Sequence, residues 1–594
     1  MKLRTRPWLG LIAAMLALVL VASACGNDSN ENGNSANNGD SSQGSNGNSG
    51  SNGDNGDGSD EDPTAPVYGG SITVGLAAEV PTWTPGAGSM GSAGLSVALA
   101  IYDPLVQVNA NGEFEGFLAE ELEANDDVTE WTLKLREGIT FADGTPLDAE
   151  TVKWNFDTLH FTEGTLTYGT LKTAGVTGIE VVDPLTVKYT LNAPNAAFPD
   201  LLRNAAGWPV SREAYEADPE GFGSSPVGTG PFVMKEWTRD DHSTVVRNEN
   251  YWLKAPNGDQ LPYLDQVTFR PIPDEDSRVQ GLAAGDLQMM QSFRGSKVKE
   301  VLALADKGGY SSSLYVGSSF AASNLNTLVP PLDDVRIRQA LAYSSDANAV
   351  QKVLGDDGLS DPAFGLFSKD SPWFSQKVND AYPEAGGRDL EAARALVDEY
   401  KADPNRSDGK AVGSSINVEY ICPTDPSQIQ LSVLWQSLWG EVGVDLDVKQ
   451  VEETVLVQRM VGSADQNPPF RGEYTISCTY AGGGFEDPLT RLRSYFGPVE
   501  TTPGNITNYV DPEIDRLMEE LASNTDFAKR YEVVEEIGMI LAEQVPIIWG
   551  SPTPRVVGYV DNIHGLTDWV LPSGSPGNGT PEGHMRFHQV FVAK

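Results

Sequence analysis

Few residues in this chain of 594 have the types and spacing that support catalysis or metal binding. Gly86, Gly88 and Gly91 spell GxGxxG, a backbone that lets a helix N-terminus approach a pyrophosphate. That chemistry needs the glycines directly between strand and helix, whereas Pro81 and Pro85 interrupt the approach here, so the match reads as accidental. His584 and His588, read on a strand, would share one face, but with no third ligand nearby core packing is the commoner role. The adjacent carboxylates Glu120–Glu121 and Asp333–Asp334 fit solvated helix starts better than an acid/base pair, and no GxSxG, HExxH or P-loop spacing occurs. The cluster Asp54, Asp57, Asp60, Glu61 and Asp62 lacks the ordered ligand spacing of a calcium loop. No catalytic residue, metal or cofactor is assigned, and an enzyme is the least expected class.

The clearest single chemistry is covalent and lies at the start. Lys2, Arg4 and Arg6 precede an uncharged run from Trp8 to Ala22, which ends VASA before Cys25. This is the pattern of a lipoprotein signal peptide over 1–24, with Cys25 the lipidated residue, although Ala22 stands where a lipobox usually has Leu. The run is short for a membrane span and no stop-transfer flank follows. Residues 25–68 are mostly Gly, Asn, Ser and Asp, too poor in apolar side chains to offset the entropy of ordering, and read as a tether with a reach of roughly 35 Å.

The remaining body, 69–594, is too long for one core and large enough to enclose a ligand. The chain holds 41 basic and 83 acidic residues. Setting aside the basic residues of the leader and the acidic ones of the tether leaves a net charge of about −37, a surface that repels nucleic acid and anionic lipid. Cys422 and Cys478 lie in the apolar stretches VEYIC and YTISC, both read as buried strands. An oxidising compartment permits a disulfide, and two separate buried thiols remain equally open.

The elements mix throughout. SITVGLA (71–77) reads as a buried strand followed by a helical run from Leu95 to Ile101. Trp131, Leu133 and Leu135 alternate with polar residues as in a half-buried strand, and Asp148 then caps a helix carrying Val152, Phe156 and Leu159. TVVRN and QVTFRPI read as strands, DEDSRVQGLAAGDLQMM as a capped helix, turn and short strand, and 333–354 as two helices. Asp511–Pro512 opens another helix, and a last one from Ala528 ends at Pro546.

These segments resemble the family 5 solute-binding proteins of ABC importers, the class of oligopeptide, dipeptide and nickel receptors. The resemblance rests on AEELEANDDVTEWTLKLREGITFADGTPLDAETVKWNF (119–156), on VGTGPFVMKEW with RNENYW and YLDQVTFRPIPDEDSRVQGLAAGDLQM, on LDDVRIRQAL, and on NYVDPEIDRLMEE with AEQVPIIWGSPTPRVVGYVDNIHGL. It implies an α/β, two-lobed periplasmic-binding-protein-like fold (class II, family 5 type) with an extra inserted domain. One lobe would combine a discontinuous domain I (69–100, 213–322 and 546–594) with an inserted domain II (101–212); domain III (323–545) would be the other. The implied function is capture of a small ligand, foremost an oligopeptide, and delivery to ABC permease subunits by a monomer held to the outer membrane face through Cys25. A sugar or metal-chelate receptor and a signalling peptide receptor are the alternatives.

The resemblance also implies ligand-binding residues. The loop after the first strand offers Trp83, Thr84 and Met90, with domain packing the other reading of Trp83. Asn326 is a ligand residue or a hinge cap, and Trp208 and Tyr480 are large aromatics suited to stacking or to the core. In CTYAGGGFEDPL (478–489), peptide-binding relatives hold the ligand's ammonium with an aspartate, whereas this chain has Ala481, Gly482, Gly483 and Gly484. Glu486 is the carboxylate that could replace it, or a solvated flank beside Asp487, which reads as the cap before Pro488.

Overall fold

The computed structural model describes residues 65–88, 90–462, 471–482, 486–498 and 504–594. The leader, Cys25, nearly all of the tether, Gly483 and Gly484 lie outside them. No described helix is long and apolar enough to cross a membrane.

A ten-stranded sheet runs through the body. Its order is Val444–Val451, Ile416–Pro423, β3 (Ile476–Gly482), β2 (Tyr310–Leu325), β4 (Ile547–Val560), Met289–Ser292, β1 (Ser71–Leu76), Gln266–Pro271, His242–Arg247 and Phe232–Thr238. The two central strands are the longest. β2 pairs antiparallel with β4 almost end to end, while β3 joins only the second half of β2 and Met289–Ser292 only the far half of β4. The ladder shifts register between Val316 and Phe320 and again between Phe320 and Ala322, opposite Pro554 and Pro552. A proline has no N–H to donate, so the sheet is weakest where it passes from one half to the other.

Three large cores pack on this frame. The first joins β1 to α1 (Gly91–Ile101) and includes Trp83, Val97, Tyr102, Trp208 and Phe587. The second belongs to a four-stranded sheet in the order Ala119–Ala124, Glu130–Leu135, Thr186–Leu191 and Val176–Asp183, covered by helices that include α2 (Leu166–Thr173) and α3 (Phe198–Arg203). The third surrounds the β3 end of the large sheet, where Trp435 stacks on Trp439 with centroids 4.8 Å apart. The caps follow side-chain chemistry: Asp148 accepts from Thr151 N–H, Asp274 from Ser277 N–H and Asp511 from Glu513 N–H. Asp487 does the same for Leu489 at the start of α4 (Pro488–Phe496).

One detail departs from the sequence reading and another settles an alternative it left open. His584 and His588 lie outside any strand, His588 buried and His584 half-buried. Cys422 and Cys478 form a disulfide with Cα atoms 5.2 Å apart, because the parallel register sets Tyr420 opposite Ile476 and Ile421 opposite Ser477. The bond spans 56 residues and anchors the strand that leads to Glu486. Breaking it, by Cys422→Ser with Cys478→Ser, is expected to lower unfolding free energy by about 2–4 kcal/mol. Reductant should lower the melting temperature of the parent protein and leave the double variant unchanged; equal melting of both proteins without reductant would show that the crosslink contributes nothing.

Candidate functional site

A small enclosed cavity of about 70 Å³ lies where α3, α4, β2 and the C-terminal segment meet, and its walls are charged. Arg203 reaches it from α3, Arg491 from α4, Tyr315 from β2, and Glu582, His584 and Arg586 from the last stretch of chain; Glu486 closes it beside α4.

Arg586 is the most unusual of these groups. It is 7% exposed, and its only described contacts are the rings of Trp569 and Phe117, at 5.2 and 5.8 Å. Among the described residues it has no hydrogen-bond or ion-pair partner. Burial pulls its guanidinium down to about 10, with the Asp103 charge opposing the shift, so it stays cationic at neutral pH. Asp103 is itself pushed up to about 7 by burial, against hydrogen bonds from Trp252 Nε1 (2.8 Å) and Tyr251 Oη (3.1 Å) and the charge of Arg586. His584 is driven down to about 3 by burial and then by Arg203, Arg555 and Arg586; it is neutral, and its Nε2 has no described partner. Three guanidiniums facing two carboxylates give the cavity walls an excess of positive charge.

The other charges are partly matched. Glu582 pairs with Arg555, and Arg491 Nη1 donates to the Leu366 carbonyl at 2.6 Å. Arg203 donates to Asp200 Oδ1 at 3.1 Å, while Asp200 Oδ2 accepts from the N–H groups of Glu486 and Asp487, each at 3.2 Å. The carboxylate of α3 therefore sits on the N-terminus of α4, and Ala196 N–H donating to the Ala522 carbonyl at 2.8 Å is a second contact between these parts of the chain.

The pattern that describes bacterial extracellular solute-binding proteins, family 5 (middle), matches residues 113–503. The chain belongs to this family. The glutathione-binding protein GsiB of Salmonella paratyphi A is 32% identical over 274 residues, covering 46% of this chain and 51% of its own length. The chain thus spans about half the length of the curated relatives it matches. DppA from Helicobacter pylori in complex with peptide STSA has the same fold, with a TM-score of 0.68, 19% identity, and coverage of 89% of this chain and 99% of that one. So does AgaA from A. tumefaciens R10 in complex with agropinic acid, with a TM-score of 0.69, 23% identity and 88% and 99% coverage. The family is one of binding proteins, not enzymes. Among the described residues no cluster of three or more His, Cys, Asp or Glu could hold a metal.

Of the residues expected in a family 5 cleft, Glu486 and Trp208 line the charged cavity. Trp208 is nevertheless 1% exposed, stacked on Tyr102 and donating its Nε1–H to the Arg203 carbonyl, so only an edge faces inward. Met90 lines a neighbouring cavity. Trp83 does not reach either: it is buried in the first core against Trp237, and its loop is held by Trp83 N–H donating to the Gly223 carbonyl. Thr84 lies in the same turn, its N–H on Thr82 Oγ1. Asn326 is also remote, its Nδ2 donating to the Tyr474 carbonyl and its Oδ1 accepting from Asn508 Nδ2. The backbones of Tyr480 and Gly482 pair with Ala321 and Ser319 of β2. Sequence reasoning missed Arg203, Arg491, Tyr315 and Arg586.

Burial raises Asp200 to about 6, with Arg203 opposing and the neighbouring Asp487 and Glu486 adding to the shift. On the domain boundaries that the family resemblance implies, parting the lobes would return this carboxyl to water and to its ordinary range. The closed form therefore holds the proton more tightly, and closure is favoured as pH falls through about 6. The closed-to-open ratio of the unliganded protein is expected to rise about tenfold from pH 8 to pH 5. Small-angle scattering should record a smaller radius of gyration at pH 5, and Asp200→Asn should flatten the change. An unaltered pH response in Asp200→Asn would remove Asp200 as its source.

Proposed function

We propose that this protein is the extracytoplasmic receptor of an ABC importer, and that it captures a small carboxylate-bearing peptide between its lobes and delivers it to the permease unaltered. The reading takes 69–100, 213–322 and 546–594 with 101–212 as one lobe and 323–545 as the other. Membership of family 5 supports transport, and the leader ending at Cys25 supports a lipid anchor on the outer face of the cell membrane. The observation that carries the ligand class is Arg586, a buried guanidinium lining the cavity, with two aromatic faces beside it and no hydrogen-bond or ion-pair partner among the described residues.

A carboxylate brought to Arg586 gains a charge-assisted, bidentate partner that water no longer competes for. Glu486, beside the glycines that replace the aspartate of peptide-binding relatives, is the available partner for the ligand's ammonium. The name of GsiB makes glutathione the first peptide to test. AgaA, which holds agropinic acid, shows that a family 5 fold also accepts a non-peptide acid. That second reading gains weight from the missing aspartate at 481–484, since such a ligand needs no ammonium site.

Calorimetry with glutathione and short peptides tests both. Arg586→Gln is expected to weaken the ligand that binds by at least tenfold, in line with about 1.5–3 kcal/mol for a hydrogen bond to a charged group. Amidating the ligand's carboxylate should cost the parent protein as much and the variant little. Equal affinity of parent and variant for every ligand that binds would sink the assignment.

A further inference from the structure

A second cavity, of about 310 Å³, adjoins the charged one and shares Leu95, Asn204 and Trp208 with it. Its chemistry is the opposite. No charged side chain lines it; its walls are the glycine loop 86–91 with Met90, the α2 face and the turn after α3. The polar side chains at its edge are already engaged. Thr170 Oγ1 donates to the Leu166 carbonyl at 3.2 Å, Thr167 shares a hydrogen bond with Thr165 Oγ1 at 3.3 Å, and Asn204 Nδ2 donates to the Asp200 carbonyl at 3.0 Å.

The glycines of the GxGxxG sequence find their use here. A Cβ on Gly86 would come within 2.6 Å of Thr167 Oγ1, and Gly86 has φ +78°, so glycine lets the loop lie against α2, where Leu166 N–H donates to the Gly86 carbonyl. At Gly91 a Cβ would meet nothing within 4 Å. The loop thus forms a wall of backbone and methionine with room in front of it.

We propose that this cavity receives an apolar side chain of the same ligand whose carboxylate sits on Arg586, so that the receptor selects amphiphilic acids: a charged head on the guanidinium side of Trp208, an aliphatic or aromatic group on the other. The volume exceeds that of several water molecules, and a group without hydrogen bonds to offer loses nothing against walls whose polar atoms are satisfied. Each methylene buried there adds about 0.8 kcal/mol, so a leucine-sized side chain gains well over tenfold against glycine. The inference rests on the carboxylate reading for the head and on the cavity alone for the tail.

The test separates the two. Neutral 1-naphthylamine, which needs no guanidinium, should bind the parent protein with enhanced fluorescence. Ala206→Phe and Thr170→Phe, which fill the cavity from two sides, should each reduce this at least tenfold, with melting temperature and circular dichroism confirming that the variants fold. Peptides carrying Leu or Phe should displace the dye at concentrations at least tenfold below those of their Gly counterparts. Undiminished dye binding in both filled variants, or displacement indifferent to the peptide side chain, overturns the proposal. Loss of Arg586 with dye binding intact and peptide affinity unchanged overturns the carboxylate reading alone.

Discussion

An isolated buried cation costs several kcal/mol unless something answers its charge, and Arg586 is in that position. What the protein provides is incomplete. The faces of Phe117 and Trp569 return up to about 2 kcal/mol each when desolvated, and Asp103, held by Tyr251 and Trp252, adds a more distant charge that burial makes easier to protonate. On the proposed reading, a ligand carboxylate removes the remaining cost. The C-terminal segment that carries Arg586 packs beside α1, with Met585 and Phe587 in the first core, and this holds the guanidinium at the cavity wall.

The same constraint explains the central strands. A sheet that is continuous across both halves gives rigidity within each, but the halves must part to admit a solute. Pro552 and Pro554 interrupt the β2–β4 ladder at its midpoint, opposite Phe320 and Val316, so bending is concentrated where the fewest hydrogen bonds resist it. On the second side of that bend the disulfide between Cys422 and Cys478 fixes β3, and the chain runs from β3 towards Glu486 and α4.

Local chemistry was legible in the sequence wherever it acts over a few residues. Asp148, Asp274, Asp487 and Asp511 cap the helices their positions announce, and the period of two around Trp131 forms a strand. Non-local facts were not. Cysteine pairing depends on strand register between segments 56 residues apart, which no local pattern encodes. Trp83 entered the expected cleft through the resemblance, with domain packing as its other reading, and the loop in fact folds back so that Trp237 covers it. Arg586 was passed over because arginine is usually a surface residue. The signal lay in its neighbours: Met585 and Phe587 flank it in a stretch without another formal charge, whereas a solvated arginine commonly sits among polar residues.

Closure and ligand charge are linked through the repulsion inside the cavity. With the lobes together, Arg203, Arg491 and Arg586 face one another across about 70 Å³, far below the roughly 300–1,000 Å³ of a site for a drug-sized ligand. On the proposed reading, a peptide bound here would hold the walls further apart than the empty protein does, and the liganded form would differ in shape from the empty one. Asp200, on the N-terminus of α4 and paired with Arg203, offsets part of the excess while it is ionised. A ligand shifts the equilibrium only by what it gains in one form over the other. On the proposed reading, an anionic ligand gains through Arg586, which Asp200 leaves unanswered, so the ligand's carboxylate favours a closure other than that of the empty protein.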